Sequence, residues 1–155
     1  DGISTDHIIA GRYLGSSDPQ VLGEHAMENV DPQFAKKVKM GDIIVAATNF
    51  GCGSSREQAP IALRAAGISC VVASTFARIF YRNSINIGFP VIECPGLHEK
   101  VKEGDTIAVD LEAGHVVLPG GEKIPSQPLP PNILEILRAG GLVPKLKAEL
   151  EAMRV

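Results

Sequence analysis

Ten residues, Asn49-Phe50-Gly51-Cys52-Gly53-Ser54-Ser55-Arg56-Glu57-Gln58, constrain this chain more than any other stretch. The apolar run Asp42 to Thr48 leads into them with Ile43, Ile44 and Val45, residues that suit a strand. A helical pattern over 59–66 leads out. Strand, tight Gly-rich turn and helix start is the reading, and such a bend aims successive backbone N–H groups at one place. Gly51 and Gly53 flank Cys52, and two hydroxyls and a guanidinium follow. The planar fork of Arg56 matches a carboxylate in two parallel bonds. A serine oxygen beside that carboxylate could move a proton, provided the turn amides and the helix N-terminus stabilise its anion. From the residues alone a plainer reading stays open, in which Ser54 and Ser55 cap a helix and Arg56 is a surface residue. The spacing fits neither the P-loop nor the three-glycine dinucleotide turn, and no lysine follows.

Around this bend the pattern predicts an α/β core. Strands are expected over 43–48, 68–74 and 90–94, with helices over 59–66 and 76–87 between them. Ser55 with Gln58 fits a capping box, while Pro60 implies an irregular first turn or a helix starting nearer Ala59. Gly67 suits the left-handed C-cap. Ser4 to His7 reads as a loop edging a buried element. Short helices are expected over 19–29, with Pro19 in the first position, and after Asp31-Pro32. Further on, 106–110 and 115–118 form a hairpin, 120–131 a turn-rich arm, and Asn132 caps a helix through Arg138. A Lys/Glu-rich helix closes the chain from Leu142 to Val155. At 155 residues the natural unit is a single domain over 1–155.

Bulk properties remove several function classes. A net charge of -3, from 15 basic and 18 acidic residues, gives no electrostatic case for nucleic acid or an anionic membrane. No apolar run approaches the ~20 residues of a membrane span. Cys52, Cys70 and Cys94 include no Cys-x-x-Cys pair, which argues against zinc or a self-contained iron–sulfur site and for a reducing cytoplasm. The chain opens on a polar turn, Asp1-Gly2, with no initiator methionine, leaving room for a short strand ahead of it.

Other polar groups carry weaker signals. His25, His98 and His115 lie far from Ser54 in sequence and read as solvated or locally bonded, so no Ser–His–Asp triad is supported. Thr5, Asp6 and His7 either line the same pocket as Ser54 or close an Asx-type turn. Cys52 is read as a small pocket-lining group rather than a ligand or reactive thiol. Arg78 and Arg82, four apart, could hold an anion or a second protein, or lie in surface ion pairs.

The stretch Asn49 to Gln58 resembles the signature of the small, swivelling domain of the aconitase superfamily. Ser4-Thr5-Asp6-His7 is similar to that domain's N-terminal motif. Ser74 to Asn83 and Gly88-Phe89-Pro90 are similar to its later helix and turn. The length and Ala139-Gly140-Gly141-Leu142 resemble the family's free-standing small subunits, those of 3-isopropylmalate dehydratases. The chain departs from the commonest form at Gln58, where histidine is frequent, and at His7. The resemblance implies an aconitase-type swivelling domain, with a βαβ core, mixed parallel and antiparallel strands and flanking helices. It also implies isomerisation of a hydroxy acid by loss and return of water. A separate large subunit would carry a [4Fe-4S] cluster, and this chain would hold no metal.

By residue, the resemblance makes Ser54 the base, Arg56 the carboxylate clamp, and Ser55 a further substrate contact. Thr5, Asp6, Gly51, Cys52 and Gly53 take supporting roles. Arg12, Tyr13 and Leu14 lie where the family reads the variable part of its substrate. Tyr13 and Leu14 would suit an apolar isopropyl group, whereas Arg12 would suit an additional carboxylate. Homoaconitase and methylmalate/citraconate hydratase small subunits are the same-class alternatives, and a non-catalytic anion-binding module is the different-class one.

Overall fold

The β-branched runs become two three-stranded sheets packed against each other. In the computed structural model, which describes residues 1–152, β1 (Ile43–Ala46), β2 (Cys70–Ala73) and β3 (Val91–Glu93) form a parallel sheet in that order. Ile44 pairs with Val71, and Val72 with Ile92. The second sheet is antiparallel, from β4 (Ala108–Asp110), β5 (His115–Val117) and β6 (Lys123–Pro125), with Val116 opposite both Val109 and Ile124. The mixed parallel and antiparallel architecture with flanking helices is therefore the expected one.

Alternation along the central strand divides the core in two. Val71 and Ala73 face a helical layer built on Ile8, Leu22, Leu63, Phe80 and Phe89, all buried. Cys70 and Val72 face the other way, with Ile92 and Cys94, onto Val116 and Ile124 of the antiparallel sheet. The helices on the first face are α1 (Thr5–Ile8), α2 (Pro19–Glu24), α3 (Phe34–Lys37), α4 (Gln58–Ala66) and α5 (Arg78–Asn86). The chain continues through α6 (Pro131–Ala139) and α7 (Leu142–Ala152). Fully burying a side chain such as Phe50 or Phe80 contributes roughly 1.5–3 kcal/mol, so this helical layer anchors whatever the neighbouring bend presents.

Several boundaries differ from the sequence reading. Ser4 to His7 is not a loop: Ser4 caps α1, with its hydroxyl taking the His7 N–H while His7 Nδ1 takes the Ser4 N–H at 2.9 Å. The capping box of Ser55 and Gln58 does not form. Helix α4 begins at Gln58, with Glu57 as an N-cap that makes no side-chain bond. Pro60 thereby falls in the first turn, where a missing N–H costs nothing because no intrahelical acceptor exists there. Gly67 does end α4 in the left-handed conformation, at φ 112°. The helix expected over 76–87 starts only at Arg78, because Phe76 is held in a bridge to Phe50. Pro130, not Asn132, precedes α6, and the arm over 120–131 contains strand β6. The helix expected to close the chain covers Leu142–Ala152; residues 153–155 lie outside the described part.

Candidate functional site

Residues 49–56 leave the β1 edge of the parallel sheet and cross to α4 as a bend held by backbone bonds. Asn49 takes φ 56°, a region asparagine tolerates, and donates its N–H to Thr75 Oγ1 at 2.7 Å. Phe50 N–H donates to the Thr75 carbonyl, and the Phe50 carbonyl accepts from Ala77 at 3.0 Å. Gly51 donates to the Ile3 carbonyl at 2.7 Å, and the Cys52 carbonyl accepts the Thr5 N–H at 2.8 Å. Gly51 is obligatory on two grounds: its φ is +84°, and a Cβ there would stand 2.2 Å from Phe80 Cγ. Gly53 needs glycine only for its φ of +93°, since the nearest atom to an added Cβ is Thr5 Oγ1 at 3.6 Å.

Cys52 bridges to Ser4 as in a parallel ladder, but from Ser54 to Arg56 the N–H groups meet no backbone acceptor among the described residues. Ser54 and Ser55 are exposed. The bend therefore ends as a row of open donors with the Ser54 hydroxyl on the surface. The Thr5 hydroxyl donates to the Ser54 carbonyl at 2.8 Å and is itself buried, so it fixes the main chain under that side chain.

Arg56 is held rather than free. Its Nη1 donates to the Ile9 carbonyl at 2.7 Å and to Asp6 Oδ1 at 3.0 Å, and its side chain is only 16% exposed. A methyl group added at Gly11 would stand 3.9 Å from Nη2, so the segment after α1 abuts the other edge of the fork. Gln58 Nε2 donates to the Leu14 carbonyl at 3.2 Å and ties that segment to the start of α4. The structure thus brings Thr5, Asp6, Gly51, Cys52, Gly53, Ser54, Ser55 and Arg56 to one place, with the backbone of residues 11–14 alongside.

Cavities of about 590 Å³ and 790 Å³ lie elsewhere, one between the β4–β5 hairpin and α6, the other along β1. Neither is lined by Ser54 or Arg56.

Arg12 and Tyr13 are engaged differently from the expectation. Gly11–Tyr13 is a 3-10 turn, and both side chains reach Glu28. Tyr13 OH donates to Glu28 Oε1 at 2.7 Å, Arg12 Nη2 pairs with the same oxygen, and His25 Nδ1 lies 2.8 Å from Oε2. The Tyr13 and His25 rings stack at 4.0 Å. Burial alone would raise the Glu28 pKa, but the bonds from Tyr13, His25 and Arg12 hold it below the ordinary value. Leu14 packs partly buried against the helical core.

Sequence reasoning missed Glu28; His25, read as solvated or locally bonded, is locally bonded to it. The only signal was their i, i+3 spacing at the end of an expected helix. Arg78 and Arg82 are exposed and make no ion pair among the described residues, so the surface-pair reading of them is not what the structure contains.

Cys52 is partly exposed, with Sγ 3.6 Å from the Gly2 carbonyl. Cys70 and Cys94 are buried, and burial pushes the Cys70 thiol up to about 11, which keeps it protonated and unreactive at neutral pH. No group of three His, Cys, Asp or Glu side chains capable of holding a metal occurs among the described residues. No helix among them is long and apolar enough to cross a membrane.

The family model of the aconitase C-terminal domain matches residues 5–95. The chain is 55% identical over 150 residues to "3-isopropylmalate dehydratase small subunit 1" of Methanopyrus kandleri, covering 96% of this chain and 88% of that one. It is 54% identical over 151 residues to the "isopropylmalate/citramalate isomerase small subunit" of Methanocaldococcus jannaschii, covering 97% and 90%. A crystal structure described as 3-isopropylmalate dehydratase from the same organism superposes with a TM-score of 0.90 at 46% identity, covering 96% of this chain and 89% of that one.

Proposed function

Because the chain belongs to the aconitase C-terminal domain family, among the small subunits of isopropylmalate dehydratase-like isomerases, we propose that it carries half of a hydro-lyase active site. In this reading it interconverts 2-isopropylmalate and 3-isopropylmalate by dehydration and rehydration, docked on a large subunit. The observation that carries it is the pairing, on one exposed bend, of the Ser54 hydroxyl with open backbone donors and the anchored Arg56 fork.

Each residue has a task that its geometry suits. Ser54 takes the proton from the substrate carbon as an alkoxide and returns it in the reverse direction. The N–H groups from Ser54 to Arg56, which meet no backbone acceptor, and the start of α4 favour that anion. Thr5, by gripping the Ser54 carbonyl, keeps the hydroxyl from wandering. Arg56, pinned through Nη1 by Asp6 and the Ile9 carbonyl, offers its remaining N–H groups beside Gly11 to a substrate carboxylate. Pinning on one side removes rotamer freedom beforehand, so less entropy is lost on binding. Ser55 adds a hydroxyl beside the clamp.

Among the described residues nothing fits an iron–sulfur cluster. Cys52 stands alone, and Cys70 and Cys94 are buried in the core. In the proposal, Lewis-acid help to the departing hydroxyl comes from a [4Fe-4S] cluster on the large subunit, and no step assigned to these residues depends on its geometry. A cytoplasmic site of action belongs to the same proposal, supported by three free thiols.

A second substrate reading has one specific support, the relative described as acting on both isopropylmalate and citramalate. The two share a hydroxy-diacid frame and differ in an apolar substituent, a difference of ~1–3 kcal/mol per methylene in an apolar pocket. Reconstitution with a large subunit under anaerobic conditions, assayed on isopropylmalate, citramalate and homoaconitate, tests the proposal. Turnover of isopropylmalate supports it. No turnover of any of them with an intact cluster present would leave a non-catalytic anion-binding module as the better description.

A further inference from the structure

Glu28 gathers more side chains than any other residue near the bend, and no motif pointed to it. One carboxylate oxygen receives both Arg12 Nη2 and the Tyr13 hydroxyl, and the other lies 2.8 Å from His25 Nδ1. The cluster is closed by stacking: the Tyr13 ring lies 4.0 Å from that of His25 at an interplanar angle of 10°, and Arg12 Cζ sits 4.9 Å from the Tyr13 centroid. Glu28 is also the less exposed partner, at 20% against 64% for Arg12. A partly buried acceptor therefore holds an otherwise solvent-facing cation.

This matters because residues 11–14 border the clamp. The position of a Gly11 methyl lies 3.9 Å from Arg56 Nη2, and the Leu14 carbonyl accepts from Gln58. A free Arg12 cation on this segment would attract an additional substrate carboxylate. Paired with Glu28, its charge is neutralised, and a third carboxylate approaching it would also meet the like charge of Glu28. Rejection then comes from a repulsive element as much as from an apolar wall.

We propose that Glu28 is a positioning residue that holds Arg12 and Tyr13 and thereby selects hydroxy diacids with an apolar substituent over tricarboxylates. The proposal rests on the hydro-lyase reading given above. Glu28 need touch no substrate; it acts through Arg12.

Glu28→Gln keeps the shape and one acceptor oxygen while removing the charge and turning the other oxygen into an NH2 donor. In the reconstituted complex, the ratio of kcat/KM for isopropylmalate to that for homoaconitate should fall at least ~10-fold, through KM, with kcat within about threefold. Adding Arg12→Leu to Glu28→Gln should restore the ratio, since the freed cation is then gone. Equal losses on both substrates, or a ratio unchanged within about twofold, would mean a merely structural role and overturn the proposal. The isolated chain supplies a readout independent of catalysis. In amide NMR spectra, Glu28→Gln should shift Gly11 to Leu14 and leave Thr75 to Phe80 in place, and unmoved resonances at 11–14 would overturn the clamp. A wild-type complex inactive on every hydroxy acid would sink the hydro-lyase reading instead, and the amide shifts would then judge the clamp by themselves.

Discussion

The bend at 49–56 and the segment at 11–28 lie side by side, yet main-chain atoms build the first and side chains build the second. At the bend, Phe50, Gly51 and Cys52 are bonded through their backbones to Ile3, Thr5, Thr75 and Ala77, and a glycine is wedged against Phe80. In the neighbouring segment, Arg12, Tyr13 and His25 converge on the single carboxylate of Glu28. A backbone-built bend keeps its shape when surface side chains change. Side chains gathered on one carboxylate, as those of Arg12 and Tyr13 are, can be re-aimed by one substitution. The bend suits the invariant part of a reaction, proton transfer and carboxylate capture, and the segment suits the part that differs between substrates.

The sharpest break in that comparison is at the bend. Ser54→Ala in the reconstituted complex should lower kcat by about 10²–10⁴-fold while KM moves only a few-fold, because the lost group acts on the reacting proton rather than on binding. Steady-state kinetics check this, and an unchanged kcat would remove Ser54 from the chemistry. Gly51→Ala should cost about 3 kcal/mol or more of stability, from the clash with Phe80 and the left-handed backbone together. Gly53→Ala, with similar φ but open space, should cost only about 1 kcal/mol. Urea unfolding of the two variants separates packing from backbone strain. Equal losses would mean that the wedge against Phe80 is unimportant.

Arg56→Lys should raise KM roughly tenfold or more, since a point charge cannot keep the Ile9 and Asp6 bonds and also offer a second parallel pair. Substrate titration of the variant checks it. The smallest effect belongs to the side-chain-built segment. The Glu28 carboxyl is held below its ordinary 4.5 in the folded state, so its contribution is present above that pH and fades as pH falls through the lower folded value. Acid titration of the Tyr13 ring resonances should show the cluster intact at pH 5 and opening only below about 4.5. Opening above pH 5 would contradict the assignment.

The same difference explains what could be read in advance. Gly51, Gly53 and the strand before them announce a bend because backbone geometry is written locally, in residue types that few other conformations require. The parallel core was legible for the same reason: Ile43 to Val45, Val71-Val72 and Val91-Ile92 are β-branched runs separated by helix-length gaps. Glu28 was not legible, because nothing at residue 28 specifies partners at 12, 13 and 25 until α2 ends and the chain turns at Met27 with φ 59°. The capping box proposed for Ser55 and Gln58 failed because α4 begins only at Gln58, leaving Glu57 as the N-cap, while the Gln58 side chain makes a tertiary bond to the Leu14 carbonyl that local pattern does not encode. The start of α5 was misplaced because Phe76 pairs with Phe50 across 26 residues, overriding a helical period. Strand β6 escaped notice because it is three residues long and ends on Pro125, an edge-strand position.

Exchange of the abstracted hydrogen tests the role of the bend most directly. With the reconstituted complex in heavy water, the wild type should incorporate deuterium at the substrate carbon, and Ser54→Ala should bind substrate with near-normal affinity yet incorporate at least ~100-fold more slowly. Incorporation at the wild-type rate in Ser54→Ala would show that another group moves the proton, and would contradict the account.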